Sequence, residues 1–389
     1  MVLIGFAAPT SAGFDKGFAA AKRGDFATAL REWRPLAEQG DASAQSNLGL
    51  MYGKGDGVPQ DNAEAARWFR KAADQGHSRA QLDLGLMYLD GQGVPQDFSE
   101  AARWFRKAAD QGHARAQFNL GLMHANGRGV ALDYAGAMKW YMQAAEQGRA
   151  DAQFNLGVMY ANGQGVPQDK AEGLKWYRMA AEQGHAKAQF NLGVFFCEGL
   201  GVPQDEAVAV MWYRKAAEQG DADAQVSLGF MYSKGRGVPQ DDVEAVRWYR
   251  KAAGQGLPFA QNNLGVMHAN GRGVPQDYAE ALRWYRMAAE QGHADAQFNL
   301  GDMYRDGHGV PQDEAEAVKL YLQAARLGDV GAQVNLGIMY SDGRACRRTS
   351  LKRCAGIAKR PSRATPRPSP TSASCTPLAR AFLRMISRG

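Results

Sequence analysis

The stretch AQFNLGVMYANGQGVPQDKAEGLKWYRMAAEQGHAK, residues 152–187, decides the fold, because the chain repeats it. Its opening Ala-Gln recurs at Ala44, Ala80, Ala116, Ala152, Ala188, Ala224, Ala260, Ala296 and Ala332, a spacing of 36 residues with no insertion. Self-similarity at such a period marks a stacked array, in which no single unit can bury its own apolar face and neighbours must share a core. Eight full units fill residues 44–331, and a ninth begins at 332.

Counting the Ala of Ala-Gln as position 1, the apolar residues fall at positions 1, 5, 8 and 9, as in Ala152, Leu156, Met159 and Tyr160. That spacing is one face of a helix. A Gly163-x-Gly165-Val166-Pro167 turn follows, and Asp169 then stands where a helix N-cap is wanted, with Glu172 three residues on. The same Asp-x-x-Glu pair recurs at Asp61/Glu64, Asp97/Glu100, Asp241/Glu244, Asp277/Glu280 and Asp313/Glu316. As a capping box it predicts a second helix starting at a fixed place in each unit. That helix carries a small residue, Trp, a second aromatic, Ala and Ala at i, i+3, i+4, i+7 and i+8, as in Ala281, Trp284, Tyr285, Ala288 and Ala289. It stops at a glycine suited to a left-handed C-cap, such as Gly292.

The glycine at position 6 of each first helix (Gly49, Gly85, Gly121, Gly157) costs about 1 kcal/mol relative to alanine. Its recurrence predicts close approach of the paired helix, with the Trp ring laid over the gap. Residues 13–43 read as a shorter capping pair, with Gly17 on its first helix, Asp25 as N-cap, and Ala29, Trp33 and Leu36 on its second. The expected fold is all-α, a right-handed α/α superhelical solenoid of helix pairs.

The unit Ala-x-x-x-Leu-Gly-x-x-Tyr, Gly-x-Gly-Val, Asp, Ala, Trp-Tyr, Ala-Ala, Gly resembles the Sel1-like repeat, a relative of the tetratricopeptide repeat, over about residues 14–344. The resemblance implies a superhelical adaptor that organises protein complexes, in bacteria often in secreted or periplasmic pathways. A cysteine-rich branch of that family, with one disulfide per repeat, is linked to β-lactam binding and hydrolysis. This chain lacks those paired cysteines, so a non-enzymatic scaffold is expected first and a β-lactamase-like hydrolase is the alternative.

Charge does not alter that expectation. The formal net charge is +6, but residues 345–389 hold eleven of the 46 Lys/Arg and none of the 40 Asp/Glu, leaving 35 against 40 in the rest, a net of −5. No nucleic-acid partner is therefore expected of the repeats. Cys346, Cys354 and Cys375 also lie in that tail, which leaves Cys197 alone among the repeats, with no disulfide framework and no CxxC site. No apolar run approaches the roughly 20 residues of a membrane helix. Residues 1–12 read as the remnant of a secretory signal, an apolar stretch ending in small residues, and imply a periplasmic or secreted location, with a cytoplasmic one as the alternative.

The ninth unit, residues 332–344, breaks off at Ser341-Asp-Gly-Arg344, where Gly-Val-Pro-Gln-Asp is due. Codons permitted from Arg344 onward, CGG GCG TGC CGC AGG ACT, regrouped from their third base read GGC GTG CCG CAG GAC, which is Gly-Val-Pro-Gln-Asp. Regrouping continues to yield repeat sequence through Thr376. Residues 345–389 are accordingly expected to be a frameshifted, disordered basic tail, and the broken last unit a site of self-association.

Motifs for chemistry are missing. The Gly-x-Gly turns, such as Gly271-Arg-Gly273, lie between two helices with no Lys-Ser/Thr after them, so they are not phosphate cradles. His77, His113, His185 and His293 share one position after the helix-ending glycine, and equivalent sites in stacked units lie roughly 10 Å apart, too far for one metal. His124 and His268 replace the tyrosine of the first helix. Gly-x-Ser-x-Gly, Ser-x-x-Lys and His-Glu-x-x-His do not occur. Cys197 has no His or Cys within ten residues and is expected to be a free structural thiol. No catalytic residue, metal or cofactor is expected.

Identical units favour a ladder of identical contacts. By analogy with tetratricopeptide repeats, positions 3, 4, 7, 10 and 11 of the first helices are expected on the concave side. Position 3 supplies Phe118, Phe154, Phe190 and Phe298, and position 4 supplies Asn119, Asn155, Asn191, Asn263 and Asn299. A row of amides, each donor and acceptor, suits the backbone of an extended peptide, with the rings giving apolar contact. The alternative is that the amides tie neighbouring helices and the rings fill gaps between units. Acidic residues at position 11 (Asp90, Glu198, Asp306, Asp342), interleaved with Lys54 and Lys234, point weakly to a basic partner.

Overall fold

A computed structural model describes residues 11–341, which hold nineteen helices and no strand. The reading of residues 1–12 as signal, apart from Ser11 and Ala12, which open the first helix, and that of 345–389 as a frameshifted, disordered tail lie outside the described residues. The helices fall into two compact units, with the division between Gln183 and Gly184.

The first unit contains five helix pairs: α1 (Ser11–Lys22) and α2 (Phe26–Glu38), α3 (Ala42–Lys54) and α4 (Asn62–Asp74), α5 (Ser78–Asp90) and α6 (Phe98–Asp110), α7 (Ala114–Asn126) and α8 (Tyr134–Glu146), α9 (Ala150–Asn162) and α10 (Lys170–Glu182). The second contains α11 (Ala186–Glu198) and α12 (Glu206–Glu218), α13 (Ala222–Lys234) and α14 (Asp242–Gly254), α15 (Pro258–Asn270) and α16 (Tyr278–Glu290), α17 (Ala294–Asp306) and α18 (Glu314–Arg326), and the single helix α19 (Val330–Ser341). Within each unit every helix packs chiefly on its sequence neighbours. This is the helix-pair solenoid that the period implies.

The caps form as expected on one side and differently on the other. The Asp61 carboxylate accepts from the backbone N–H of Ala63 and Glu64 at 2.9 and 3.0 Å, and Asp97, Asp169, Asp241, Asp277 and Asp313 act alike. The glutamates do not reach back to complete a capping box. Each Asp N–H is already spent on the carbonyl of a first-helix residue, Asp61 on Tyr52 and Asp97 on Tyr88, both at 2.9 Å. The glutamates instead pair with a cation three residues on, Glu64 with Arg67 and Glu172 with Lys175.

The glycine at position 6 does admit the paired helix, but the tryptophan is not what covers it. A Cβ on Gly157 would stand 2.5 Å from the Tyr177 ring, and one on Gly85 would stand 2.6 Å from Phe105. The aromatic after the Trp, or after Leu320 in α18, fills the gap in each pair from α3–α4 to α17–α18, and only in the capping pair does Trp33 lie over Gly17. One residue is a turn of about 100° on a helix, so adjacent aromatics face different neighbours. Trp104 enters the core of α4 and α5, Trp140 that of α6 and α7, and Trp248 that of α12 and α13. Each such ring buries on the order of 200 Å², worth ~5 kcal/mol as an upper area estimate, and so locks one pair onto the one before it.

Loops add a second lock. Gly93 has φ +69°, and a Cβ on it would lie 2.1 Å from the Asn62 carbonyl oxygen at the start of the preceding second helix. Gly129 meets Phe98, Gly237 meets Glu206 and Gly273 meets Asp242 in the same way. The residue before each of these glycines touches that same preceding residue, and the chemistry is matched pair by pair. Asn62 donates to Gln92 at 2.9 Å, Arg128 lies 4.3 Å over the Phe98 ring, and His308 stacks on Tyr278 at 4.6 Å. Arg236 donates to Glu206 at 2.5 Å and Arg272 to Asp242 at 2.6 Å.

The shared histidines are N-caps. His77, His185 and His293 accept through Nδ1 from Ala80, Ala188 and Ala296 N–H at 3.1, 3.1 and 3.3 Å, the task that Asp41 and Asp221 perform for α3 and α13. His113 makes no such bond. Burial pushes His77 and His293 below the ordinary imidazole pKa of 6.5. The folded state thus keeps them neutral, and as pH falls through 6.5 the unfolded chain binds protons first. Stability present at neutral pH is therefore lost on acidification, as protonation takes the Nδ1 lone pair that caps the helix. The double variant His77→Asp, His293→Asp is expected to flatten urea midpoints measured from pH 7 to 5, because a carboxylate still caps there. An unchanged pH slope would refute this account.

Cys197 is fully buried, packed with Phe190, Val194 and Tyr213. It is disulfide-bonded and not the free thiol expected.

Candidate functional site

The first helices turn one stripe away from their partners, and the residues proposed for binding sit on it to different degrees. The phenylalanines spend a ring face inward: Phe118 lies 5.9 Å from Tyr141, and Phe154, Phe190 and Phe298 lie 5.8 Å from Tyr177, Tyr213 and Tyr321, each on the paired second helix. Phe190 and Asn191 are buried, and the other three rings are half-buried. Across the array position 3 is mostly core, since Ser46, Leu82, Val226 and Asn262 are buried as well.

The amides at position 4 are partly engaged. Asn155 hydrogen-bonds to the Tyr141 hydroxyl, whose pKa burial pushes up to about 12. Asn299 donates to Asn262 at 2.9 Å, and Asn335 donates at 3.2 Å to Asp302, which also accepts from Tyr321 at 2.5 Å. Asn119 and Asn263 are half-buried, and the Asn119 Nδ2 has no partner. Asp83, at the same position, is buried beside Arg79 at 2.9 Å, with desolvation raising its pKa.

Position 7 is where the stripe becomes apolar. Leu50, Leu86, Leu122 and Val158 in the first unit, and Phe230 and Val266 in the second, are half-buried, flanked by position 4 on one side and by the mostly exposed position 11 on the other. Asp302 interrupts this row in α17. The sequence reading placed position 7 on the concave side but took its apolar contact from position 3. The distinguishing signal was the tyrosine or phenylalanine 23 residues after each position-3 ring, which claims that ring for the core.

A structural ladder also escaped the sequence reading, although it supplied the phase marker. The glutamine of Ala-Gln is buried, and its amide donates to a carbonyl at the end of the preceding second helix: Gln45 to Ala37 at 2.9 Å, Gln117 to Ala109 at 3.2 Å, Gln225 to Ala217 at 3.1 Å. Its oxygen accepts from the glutamine that ends its own pair, Gln75 to Gln45 and Gln183 to Gln153 at 2.7 Å and Gln255 to Gln225 at 2.9 Å. These bonds satisfy carbonyls that a helix C-terminus leaves orphaned. The ladder ties pairs together beside the asparagines, of which Asn155, Asn299 and Asn335 bond to the preceding pair as the alternative expected.

Among the described residues no group of three His, Cys, Asp or Glu side chains is placed to hold a metal, and no helix is long and apolar enough to cross a membrane.

Comparison with known proteins agrees with this architecture. The Sel1 repeat matches at residues 42–77, 78–113, 114–148, 150–185, 186–221, 222–257, 258–293, 294–329 and 330–353. Among solved structures, the chain is similar to c5321, a protective antigen of uropathogenic Escherichia coli displaying an SLR fold, at 41% identity and TM-score 0.77, over 80% of this chain and 67% of that one. A Sel1 repeat protein from Oxalobacter formigenes is 35% identical with TM-score 0.62, over 83% of this chain and 93% of that one. No curated protein sequence matches the chain. Sel1 repeat proteins generally act as protein-interaction scaffolds, on a solenoid that is typically non-catalytic. With the repeat matched in register along well over half of its length, the chain belongs to the Sel1 repeat family.

Proposed function

We propose that this chain is a non-enzymatic scaffold that holds an extended segment of a protein partner along its first helices. The observation that carries the proposal is the row of half-buried aliphatic side chains at position 7, Leu50, Leu86, Leu122 and Val158, with amides beside it at position 4. Helices packed ~10 Å apart present one such contact for about every three residues of an extended chain, which rises ~3.3 Å per residue. The aliphatic row supplies burial. The half-buried amides beside it, such as Asn263, would supply hydrogen bonds to backbone irrespective of side chain.

A photocrosslinking residue placed at Leu86, Leu122 or Val158 is expected to trap the partner in the native cell, whereas the same residue at Arg103, exposed on α6, is not. Crosslinks from Arg103 alone, or equally from all four positions, would exclude the first-helix face.

A further inference from the structure

In the second unit the copying fails at several touching positions at once. The last residue of α14 is Gly254, where every other second helix but α18, which ends in Arg326, ends in an acid such as Asp74, Asp110, Glu146 or Glu290. Nothing lies within 4 Å of the place a Gly254 Cβ would take. One turn earlier, Arg250 has lost its usual partner. Its equivalents Arg34 and Arg286 donate to tyrosine hydroxyls of the next first helix at 2.9 and 2.7 Å, and Arg106 meets the His124 ring at 3.2 Å, but Arg250 makes no such contact with His268. Arg250 has no hydrogen bond or ion pair among the described residues. On the same side Val243 stands where α4, α8, α10 and α16 have alanine, and it is 64% exposed.

These departures border one open groove of about 550 Å³ between α14 and the loop after α15. Val243, Val246 and Val274 make its apolar part. Arg247, Arg250 and Lys251 make its charge, and only Arg247 has a carboxylate, Glu244 at 3.0 Å. Lys251 lies 4.3 Å over the Trp248 ring. The groove therefore has an excess of two positive charges in a repeat region whose net charge is negative. In the other pairs, α17–α18 apart, an acid at the place of Gly254 would offset it.

We propose that this groove docks an acidic, aliphatic-rich peptide segment of a protein partner, separately from the first-helix face. Carboxylates would meet Arg250 and Lys251, and aliphatic side chains would cover the valines. Nucleic acid fits less well, because Trp248 is buried and no aromatic face is open for base stacking.

The test uses the full chain and a fluorescein-labelled peptide of alternating Glu and Leu, read by anisotropy. Binding is expected, weakening with salt. Gly254→Glu, which restores the acid and favours the helix, is expected to weaken it about tenfold, as is Arg250→Glu. Arg103→Glu on α6, with Asp110 in place, is expected to change it less than twofold. The proposal is overturned if the peptide does not bind, if Gly254→Glu binds as the parent does, if Arg103→Glu weakens binding equally, or if a Lys/Leu peptide or single-stranded oligonucleotide binds more tightly.

Discussion

Replacing Gly93 with alanine is expected to cost more than ~3 kcal/mol of stability, while the same change at Gly76 costs only ~1–2 kcal/mol. Both residues have left-handed φ, +69° and +90°, so a Cβ is strained at either. They differ in what the Cβ meets. At Gly76 nothing lies within 4 Å, whereas at Gly93 the Asn62 carbonyl oxygen and carbon stand 2.1 and 2.2 Å away. Backbone at a helix start cannot swing aside as a side chain does, so the loop and the preceding pair must part. Coupling between neighbouring units carries much of the stability of a repeat array, and a broken interface there divides one cooperative transition into two. Urea unfolding followed by circular dichroism should show Gly93→Ala with a lower midpoint and a broadened or biphasic curve. Equal losses at the two sites would mean that φ alone sets the cost.

Alanine at position 6 is expected to act with opposite signs in two repeats. At Gly157 the new Cβ would stand 2.5 and 2.6 Å from Tyr177, a fully buried ring with no free volume to retreat into. Overpacking of that kind costs ~1–3 kcal/mol or more, against the ~1 kcal/mol that alanine gains over glycine in a helix. A net loss of up to about 2 kcal/mol follows for Gly157→Ala. Gly337 occupies the same position in α19, and nothing among the described residues lies within 4 Å of its Cβ site. There only the propensity gain remains, so Gly337→Ala should stabilise by up to ~1 kcal/mol, less if the helix end frays. Two variants of like sign in denaturant titrations would show that ring contact does not explain the recurring glycine.

The fold was legible because its determinants are local and copied. Asp169 capping α10 and Gly163 ending α9 with φ +72° are readable from one residue and its neighbours. What was not legible depends on which neighbour a side chain meets. Trp176 and Tyr177 are adjacent in sequence and equally aromatic, and only helix crossing geometry sends the first to the previous pair and the second over Gly157. Likewise Phe154 and Val158 are four residues apart on α9, both apolar. Tyr177 claims the ring, and the valine is left on the open stripe. Gln153 was visible nine times over, yet a buried amide bridging two helix ends cannot be told from a solvated one until the second helix is in place.

The matched residues at the loops bear on how such a chain changes length over generations. Recombination between near-identical 36-residue stretches adds or removes whole repeats, and each event creates a single new seam. The glutamine ladder, the caps and the aromatic locks are the same on both sides of any seam, so they re-form. Only the loop pair is new. Loss of residues 258–293, for example, would set His308 over Asp242 in place of Arg272, exchanging one part-exposed pair worth about 0.2–1 kcal/mol for another. A change that small leaves the shortened chain folded. The number of repeats, and with it the reach of the binding face, can therefore drift almost freely, while the order of repeats is recorded in the pairs.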